Sequence, residues 1–260
     1  NDNGSNQTEY EITFNEPTEC DILVVGGGGG GGHNGGGGGG GDVLYFNRVQ
    51  IPNGEYVAKV GRGGTGVHSS NTGATTHGIK SEFYNIVAGG GGRGMAFSYT
   101  NISDGIAVTE NYINPLTGES ATSKGGDGGV RNSATGNATK GGDGAGGVAL
   151  PVTEDNGNNN YDATDGGAGI YNDITGTNIG YGGGGGGRDV SNPAYHGKGV
   201  DGGASAYFGP AAISGRGGGG ASEFNSGGSG IVIIRYKATN TLYGLKEWKY
   251  SNSNTTTYFM

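Results

Sequence analysis

The chain has 260 residues, of which 65 are glycine and 6 are proline, so more than a quarter of it consists of these two residues. Its net charge is −8 and it lacks a long basic run, which argues against nucleic-acid binding. No apolar stretch reaches the roughly 20 residues that a membrane-spanning helix needs, and the absence of a Gly-X-Y period excludes collagen.

Strand patterns dominate the chain from its start, and long helical periodicity is absent. Tyr10, Ile12 and Phe14 alternate with polar residues, which predicts a strand with one apolar face. Residues 22–25, Ile-Leu-Val-Val, form a continuous apolar run that is typical of a strand buried on both faces. The composition and these patterns predict an all-β fold.

Further strands are expected along the chain. Residues 43–51 predict a strand, Pro52-Asn53-Gly54 predicts a hairpin turn, and residues 56–60 predict the returning strand. Residues 83–87 predict one more strand. The last strong apolar run is residues 231–234, Ile-Val-Ile-Ile, followed by Arg235 and Tyr236.

Glycine tracts separate these strands. The longest are residues 26–32, 35–41, 89–92, 182–187 and 217–220. Flexible linkers are one interpretation of such tracts. Because the tracts adjoin strong strands directly and serine is not their partner, we favour ordered extended helices of the polyglycine II type, packed side by side. A bundle of this kind would need nearly all of its backbone groups to be hydrogen-bonded.

Four phrases carry a resemblance to a known family. They are residues 19–29 (Glu-Cys-Asp-Ile-Leu-Val-Val-Gly-Gly-Gly-Gly), 58–66 (Ala-Lys-Val-Gly-Arg-Gly-Gly-Thr-Gly), 85–94 (Asn-Ile-Val-Ala-Gly-Gly-Gly-Gly-Arg-Gly) and 227–236 (Gly-Gly-Ser-Gly-Ile-Val-Ile-Ile-Arg-Tyr). They resemble the glycine-rich domain of phage tail-fibre adhesins and of viral and microbial surface proteins, and more distantly the glycine-rich region of anaplastic lymphoma kinase receptors.

The resemblance implies a β-sandwich whose first and last strands pair, with a bundle of polyglycine II helices inserted between strands. It covers residues 10–236, which leaves residues 1–9 as an N-terminal arm and residues 237–260 as a C-terminal β-prone tail. It also implies a non-enzymatic role at an extracellular, cell-surface or virion surface. The loops expected to contact a receptor are residues 66–80, 97–122, 150–165 and 188–197.

Motifs for enzymatic or metal chemistry are weak. Glycine matches to the dinucleotide fingerprint open no helix, and the Gly-Gly-Asp-Gly phrases at Asp127 and Asp143 lack the spacing of a calcium-binding repeat. We interpret these aspartates as solvated turn residues. The four histidines are scattered in predicted loops, and we interpret His33 as an exposed turn residue beside Asn34. We therefore expect no catalytic residue, cofactor or metal.

Candidate surface sites fall into three sets. Four Asn-X-Ser/Thr sequons are candidate glycosylation sites: Asn6, Asn101, Asn137 and Asn254. Tyrosines in predicted loops have two possible roles: they recognise a sugar or a protein, or they cap the glycine bundle. The candidate recognition residues are Tyr99, Tyr112, Tyr161 and Tyr195. Candidate assembly contacts are Tyr10, Ile12 and Phe14 near the start and Trp248, Tyr250, Tyr258 and Phe259 in the tail.

Two functions follow from these patterns. In the first, the tail adds a strand to the edge of the next copy at residues 10–14, so that the protein builds a fibre head-to-tail. The tail packing back on its own domain is the alternative arrangement. In the second function, the chain is an adhesin tip that recognises a cell-surface glycan or protein through its loops. The expected partner is thus the protein itself, or a surface receptor.

Overall fold

The protein folds almost entirely as antiparallel β-structure. The structure, a computed structural model, describes residues 7–66, 75–95, 105–130, 138–155, 160–189, 196–206, 209–223, 225–237, 250–252 and 255–259. No α-helix occurs among these residues. The strands are β1 (Gln7–Phe14), β2 (Thr18–Val25), β3 (Val43–Ile51), β4 (Gly54–Gly61), β5 (Ser81–Phe83), β6 (Ile86–Ala88), β7 (Thr109–Ile113), β8 (Ser120–Lys124), β9 (Thr153–Asp155), β10 (Asn160–Asp162), β11 (Ile170–Asn172), β12 (Ile179–Tyr181), β13 (Ile231–Tyr236), β14 (Tyr250–Asn252) and β15 (Thr255–Phe259).

A five-stranded sheet in the order β14-β15-β13-β2-β3 forms the centre of the molecule. β2 and β13 run antiparallel, with Val25 opposite Ile231 and Cys20 opposite Tyr236. These two strands carry the first and last of the four phrases quoted above. The predicted all-β sandwich, with its opening and closing strands paired, is therefore confirmed.

The central sheet is buried on both faces along the apolar runs of β2 and β13, as those runs predict. On one face Ile22 and Val24 pack in a cluster with Phe83 and Ile86 of the second sheet. On the other face Leu23 and Val25 pack with Ile233, Ile174 and Tyr181. Each of these aliphatic side chains contributes about 1.5–3 kcal/mol through its burial, so β2 and β13 anchor the fold.

The second sheet has four strands in the order β1-β4-β5-β6, and β1 lies at its edge. β1 pairs with β4 over eight residues without a shift in register. The predicted alternation in β1 is only partly reflected in burial: Phe14 is buried, Ile12 is half-buried against the core, and Tyr10 is 37% exposed. β1 begins at Gln7, inside the segment expected to be an N-terminal arm.

One predicted turn and one predicted strand differ from the structure. Residues 52–53 do not close a hairpin, because β3 belongs to the central sheet and β4 to the second sheet, so this turn carries the chain from one layer to the other. Residues 83–87 form two short paired strands, β5 and β6, instead of one. Tyr84 makes this turn with a φ of 54°, a conformation that bulky residues adopt infrequently and that the sequence therefore does not signal.

Three hairpins, β7–β8, β9–β10 and β11–β12, lie outside the two main sheets. The first two are mostly polar, and the strands of β11–β12 are only three residues long, so none of the three hairpins shows a clear strand pattern in the sequence. The tail also forms strands: β15 pairs with β13 of the same chain, with Phe259 opposite Ile233, and β14 pairs with β15. The tail thus extends the central sheet beyond the closing strand.

Candidate functional site: the glycine bundle and its distal end

The glycine tracts lie side by side and exchange backbone hydrogen bonds. In residues 26–32 the neighbour that accepts changes with a three-residue period. Gly27 and Gly30 donate to Ile79 and Thr76, Gly28 and Gly31 donate to Gly228 and Asn225, and Gly29 and Gly32 donate to Gly39 and Gly36. Successive residues of this tract therefore donate to three different neighbouring segments, and the hydrogen-bonding pattern repeats every three residues.

One tract, residues 36–41, lies at the centre and contacts six others. Its N–H groups donate in turn to residues 89–95, 140–143 and 217–220. Its carbonyls accept from Gly29, Gly126, Gly129 and Gly185, in three further tracts. We call the assembly of these tracts the glycine bundle: residues 26–42, 61–66, 75–80, 89–95, 125–130, 138–149, 163–169, 182–188, 196–206 and 217–230. Backbone hydrogen bonds are the main contacts that join its members.

The close approach of backbones explains why these positions are glycine. A Cβ atom added at Gly28 would lie within 3.0 Å of the carbonyl of Gly218, and one added at Gly184 would overlap the carbonyl of Gly142. The same overlap occurs along the central tract. The described tracts are therefore packed elements of the fold and do not act as linkers.

The bundle has two ends. Its proximal end adjoins the sandwich strands, and its distal end includes residues 33–34, 94–95, 129–130, 138–139, 187–188 and 222–223, which the tracts bring together. Residues 67–74, 96–104, 131–137 and 190–195 are outside the described residues, and the described residues on either side of them lie at or near this end. The distal end therefore gathers the positions from which most of the predicted recognition loops leave the bundle.

A buried charged cluster closes the distal end. His33 and Asn34 form the turn between the first and central tracts, with Asn34 at a φ of 45°. The Arg188 Nη1 donates to the Asn34 Oδ1 at 2.7 Å, and the Arg188 guanidinium pairs with the Glu223 carboxylate. The His33 Nδ1 lies 3.9 Å from the Glu223 Oε1. We call these four residues the distal cluster.

Exposure in this cluster contradicts one prediction. His33 does lie in a turn, but its side chain is only 17% exposed, and the side chains of Arg188 and Glu223 are 15% and 5% exposed. The prediction of an exposed His33 was wrong because a distant segment, residues 222–223, folds over the turn. Sequence patterns give no sign of this contact, which joins positions about 190 residues apart.

Backbone hydrogen bonds hold the cluster in place. The Glu223 N–H donates to the Gly32 carbonyl at 3.0 Å, and the Ser222 N–H donates to the Gly186 carbonyl at 3.0 Å. The Arg188 N–H donates to the Thr139 Oγ1 at 2.6 Å. A carboxylate as buried as that of Glu223 needs a cationic partner, and Arg188 supplies it.

Two more histidines accept backbone hydrogen bonds near this end. The His196 Nδ1 accepts from the Asp189 N–H at 3.2 Å, and the His77 Nδ1 accepts from the Arg93 N–H at 3.3 Å. Burial, with the nearby Arg188 guanidinium, lowers the pKa of His196 below its ordinary value of 6.5, against the opposing effect of Asp189. His68 lies outside the described residues. The described histidines therefore serve as parts of the bundle's hydrogen-bonding network.

The two Lys-Gly-Gly-Asp phrases fold alike. Lys124 pairs with Asp127 at 2.8 Å, and Lys140 pairs with Asp143 at 2.7 Å. Each aspartate also accepts a backbone N–H, Asp127 from Ala107 and Asp143 from Ala149. The prediction of turn positions was wrong for both aspartates, since neither lies in a turn. Solvation was wrongly predicted for Asp143, whose side chain is 15% exposed, whereas Asp127 is 34% exposed.

The remaining predicted surface residues are dispersed. Tyr112 lies in β7, where its ring packs edge-on against Phe46 at 6.1 Å, away from the distal end. Tyr161 lies in β10. The following predicted residues lie outside the described part of the chain: Asn6, Tyr99, Asn101, Asn137, Tyr195, Trp248 and Asn254. Tyr250 begins β14, while Tyr258 and Phe259 end β15.

Groups suited to metal binding or nucleophilic chemistry are sparse in the described chain. Within the ranges given above, no cluster of three or more His, Cys, Asp or Glu residues is arranged to hold a metal ion. Burial raises the pKa of the Cys20 thiol to about 12, with Asp21 and Glu19 adding to the effect, so this thiol stays protonated and unreactive at neutral pH. No helix with the length and apolarity of a membrane span is found in the same ranges.

A comparison with known proteins relates the chain to a family. No curated protein matches the chain. A family model described as a glycine-rich domain matches residues 4–237, which include both main sheets up to β13 and all of the glycine bundle. Because this match spans nearly the whole sequence, the chain belongs to the glycine-rich domain family.

Proposed function

We propose that this protein is a non-enzymatic structural subunit of an extracellular or virion surface fibre, whose copies join head-to-tail by strand addition. The observation that carries the proposal is the edge strand β1. Its eight residues pair with β4 in uninterrupted register, and its other side is the edge of the sheet. A long regular edge of this kind is a template for pairing with another chain.

The edge at β3 supports the proposal by contrast. Its pairing with β2 is interrupted by a register shift between Cys20 and Ile22. Arg48 has a φ of 56°, and its N–H donates to the Asp21 Oδ1 at 3.0 Å instead of extending the ladder. Bulges of this kind protect edges from unwanted pairing. β1 has no such bulge, although both edges are long.

The tail supplies the complementary strand. β14 is the outermost strand of the central sheet, so its outer edge faces away from β15. The tail carries Lys237, Lys246 and Lys249 against one acidic residue, whereas β1 carries Glu9 and Glu11. Opposite charges steer such strands together. In the proposed fibre, β14 of one copy adds to β1 of the next, and the heterologous contact continues as an open filament.

A charge swap tests this contact. Glu11 is exposed on β1, so Glu11→Lys should reduce filament length and mass, measured by electron microscopy and sedimentation. Adding Lys249→Glu in the same chain should restore filaments. Glu55→Lys, at an exposed position of β4, is the matched control. Filaments that persist after both Glu11→Lys and deletion of residues 240–260 would contradict the proposal.

We also infer that the described glycine tracts are polyglycine II helices. The three-residue change of hydrogen-bonding neighbour in residues 26–32 and 36–41 supports this, as does the ion pairing of Lys and Asp three residues apart. NMR measurement of the tract glycines should give φ near about −75° and ψ near about +145°. Glycine dihedrals in the fully extended β region would contradict it.

A second candidate function rests on the distal end. The described residues that flank residues 67–74, 96–104, 131–137 and 190–195 lie near one another there, which suits a receptor-binding tip like those of the phage adhesins that the sequence resembles. On this proposal Tyr99 and Tyr195 contact a surface glycan or protein. Tyr99→Ala and Tyr195→Ala should then weaken binding to target cells, while Tyr171→Ala, in exposed β11, should not. Equal binding by all three variants would count against it.

A further inference from the structure

Two Asn-Gly pairs lie in connecting segments of the described chain, and they differ in how the asparagine side chain is held. Asn53 precedes Gly54 in the connection between β3 and β4, and Asn34 precedes Gly35 at the distal end of the bundle. An asparagine amide is attacked most readily by the next backbone nitrogen when that residue is glycine, because glycine has no Cβ to hinder the approach. The two pairs therefore place the same chemistry in two environments.

The Asn53 side chain is free to react. It is exposed, in a bend that carries the chain from the central sheet to the second sheet. Among the residues that the structure describes, its amide has no hydrogen-bond partner. Gly54 forms the last pair of the β1–β4 ladder, opposite Phe14, and the end of a ladder opens most readily. Even a Cβ added at Gly54 would lie no closer than 3.6 Å to its neighbours, so this position is uncrowded.

The Asn34 side chain is held at both ends of its amide. Its Nδ2 lies 3.0 Å from the His33 Nε2, and its Oδ1 accepts a hydrogen bond from the Arg188 Nη1 at 2.7 Å. Arg188 is itself paired with the buried Glu223 carboxylate, and Gly35 is buried. Attack by the Gly35 nitrogen requires these hydrogen bonds to break first. The distal cluster therefore protects Asn34.

We propose that Asn53 is a site of spontaneous deamidation, at which the folded protein converts its own side chain. The Gly54 nitrogen loses its proton to solvent base and bonds to the Asn53 Cγ. The bond from Cγ to Nδ2 then breaks, and Nδ2 takes up protons from water and leaves as ammonia. A second water molecule opens the resulting cyclic succinimide at either of its two carbonyls. One opening gives aspartate, and the other gives isoaspartate, whose main chain runs through the side-chain carbon.

The reaction changes the connection between the two sheets. Either product adds one negative charge beside Glu55 to a chain whose net charge is −8. Isoaspartate also lengthens the main chain by one methylene group, in a turn where the Tyr56 Oη donates to the Pro52 carbonyl at 3.0 Å. Because Asn53 is exposed, we expect both products to stay folded. The modification does not depend on whether the protein builds a fibre or binds a receptor.

Peptide mapping of the full, folded chain tests the proposal. The chain is incubated in mildly alkaline buffer, and trypsin then releases residues 49–59, in which Asn53 is the only asparagine. This peptide should be recovered increasingly as aspartate and isoaspartate forms, separated by chromatography and identified by mass spectrometry. Asn34 should convert at least about tenfold more slowly, because its contacts must first open locally. Tandem mass spectrometry distinguishes it from the Asn-Gly pairs at residues 3–4 and 156–157, which lie outside the described residues.

Asn53→Gln is the matched variant, because ring closure from a glutamine side chain is far slower. Its peptide 49–59 should stay unmodified, while circular dichroism should show the same fold as in the parent chain. A parent peptide that also stays unmodified would overturn the proposal. Recovery of aspartate without isoaspartate would indicate direct hydrolysis by water and would overturn the cyclic route.

A denatured sample separates the effect of the fold from that of the dipeptide. In guanidinium chloride, Asn34 and Asn53 should convert at similar rates, since glycine follows both and no contact holds either amide. Equal rates in the folded chain would overturn the proposed difference between the two turns. An Asn34 that stays slow in denaturant would mean that the distal cluster is not what protects it, and would likewise contradict the proposal.

Discussion

The sandwich and the glycine bundle are stabilised in opposite ways. In the sandwich, Ile22, Leu23, Val24 and Val25 of one strand fill two apolar clusters, and side-chain burial supplies the stability. In the bundle, the central tract has no side chains at all, and its backbone groups bond to six neighbouring tracts. The comparison teaches that a chain with few apolar residues can still build a packed interior.

The two regions should differ in what they tolerate. A sandwich core accepts a smaller side chain at the cost of a cavity. The central tract has no side chain to shorten, and a Cβ added at any of its glycines meets a backbone carbonyl. Ordering glycine also costs more conformational entropy than ordering other residues, so the bundle depends on nearly complete backbone pairing.

The largest effect is expected from a side chain placed inside the bundle. Gly28→Val and Gly184→Val should each cost more than about 4–5 kcal/mol of unfolding free energy and unfold the domain, because the valine would overlap the carbonyls of Gly218 and Gly142. Circular dichroism and limited proteolysis would detect the loss.

Gly147→Ala is the matched control for these variants. A Cβ at Gly147 would meet only Ala168, at an ordinary 3.7 Å, so this variant should stay folded. If Gly28→Val and Gly184→Val stay folded and resist protease as well as the Gly147→Ala control does, the bundle is not a packed interior.

The next effect concerns the distal cluster. Arg188→Ala should cost about 3–5 kcal/mol, because it leaves the Glu223 carboxylate buried without its guanidinium partner. Arg48→Ala is the control, since Arg48 and Glu19 form an exposed pair that contributes less than about 1 kcal/mol. Urea unfolding of both variants measures the difference, and equal midpoints would mean that the cluster is not stabilising.

Removal of one methylene group from the sandwich should have a smaller effect. Ile22→Val should cost about 0.5–1.5 kcal/mol, as expected of a fully buried isoleucine in a cluster that can partly relax. Adding one methyl group to the bundle, by Gly38→Ala, should cost more, because it meets the Gly29 carbonyl. Chemical denaturation measures the loss of unfolding free energy in each variant. A larger loss in Ile22→Val than in Gly38→Ala would contradict the expected difference between sandwich and bundle.

The same contrast between side-chain packing and backbone packing explains which parts of the fold the sequence predicts. The runs at residues 22–25 and 231–234 are apolar at every position, so burial on both faces follows from composition alone. The glycine tracts between strands likewise indicate close backbone packing, because few other roles use glycine so densely. The two paired strands β2 and β13 and the presence of packed glycine tracts could thus be predicted from local patterns.

Long-range pairing was not accessible in this way. The turn at residues 52–54 has hairpin residues, yet β3 and β4 belong to different sheets, since β3 pairs with β2 and β4 with β1. The distal cluster unites a histidine-asparagine turn with Arg188 and Glu223, each of which looks like an ordinary solvated charge in the sequence. Local sequence patterns do not indicate which tracts become neighbours in the bundle, because the tracts are nearly identical in sequence.

The smallest predicted effect is a pH dependence at the distal end. Burial and Arg188 lower the pKa of His196 in the folded protein, so the unfolded chain binds a proton first as the pH falls. The stability that His196 contributes is therefore complete above pH 6.5 and is lost as the pH drops below it towards the lowered folded value. His196→Asn keeps an acceptor for the Asp189 N–H but does not titrate.

Urea midpoints measured about one pH unit above and about one below 6.5 isolate this contribution. The parent chain should lose more stability on acidification than His196→Asn does, and the difference belongs to His196 because the other histidines are present in both. A larger loss in His196→Asn would mean that protonation strengthens the packing around residues 188–189. In that case the distal end would hold a charged imidazole as readily as a neutral one, and burial would not favour the neutral ring of His196.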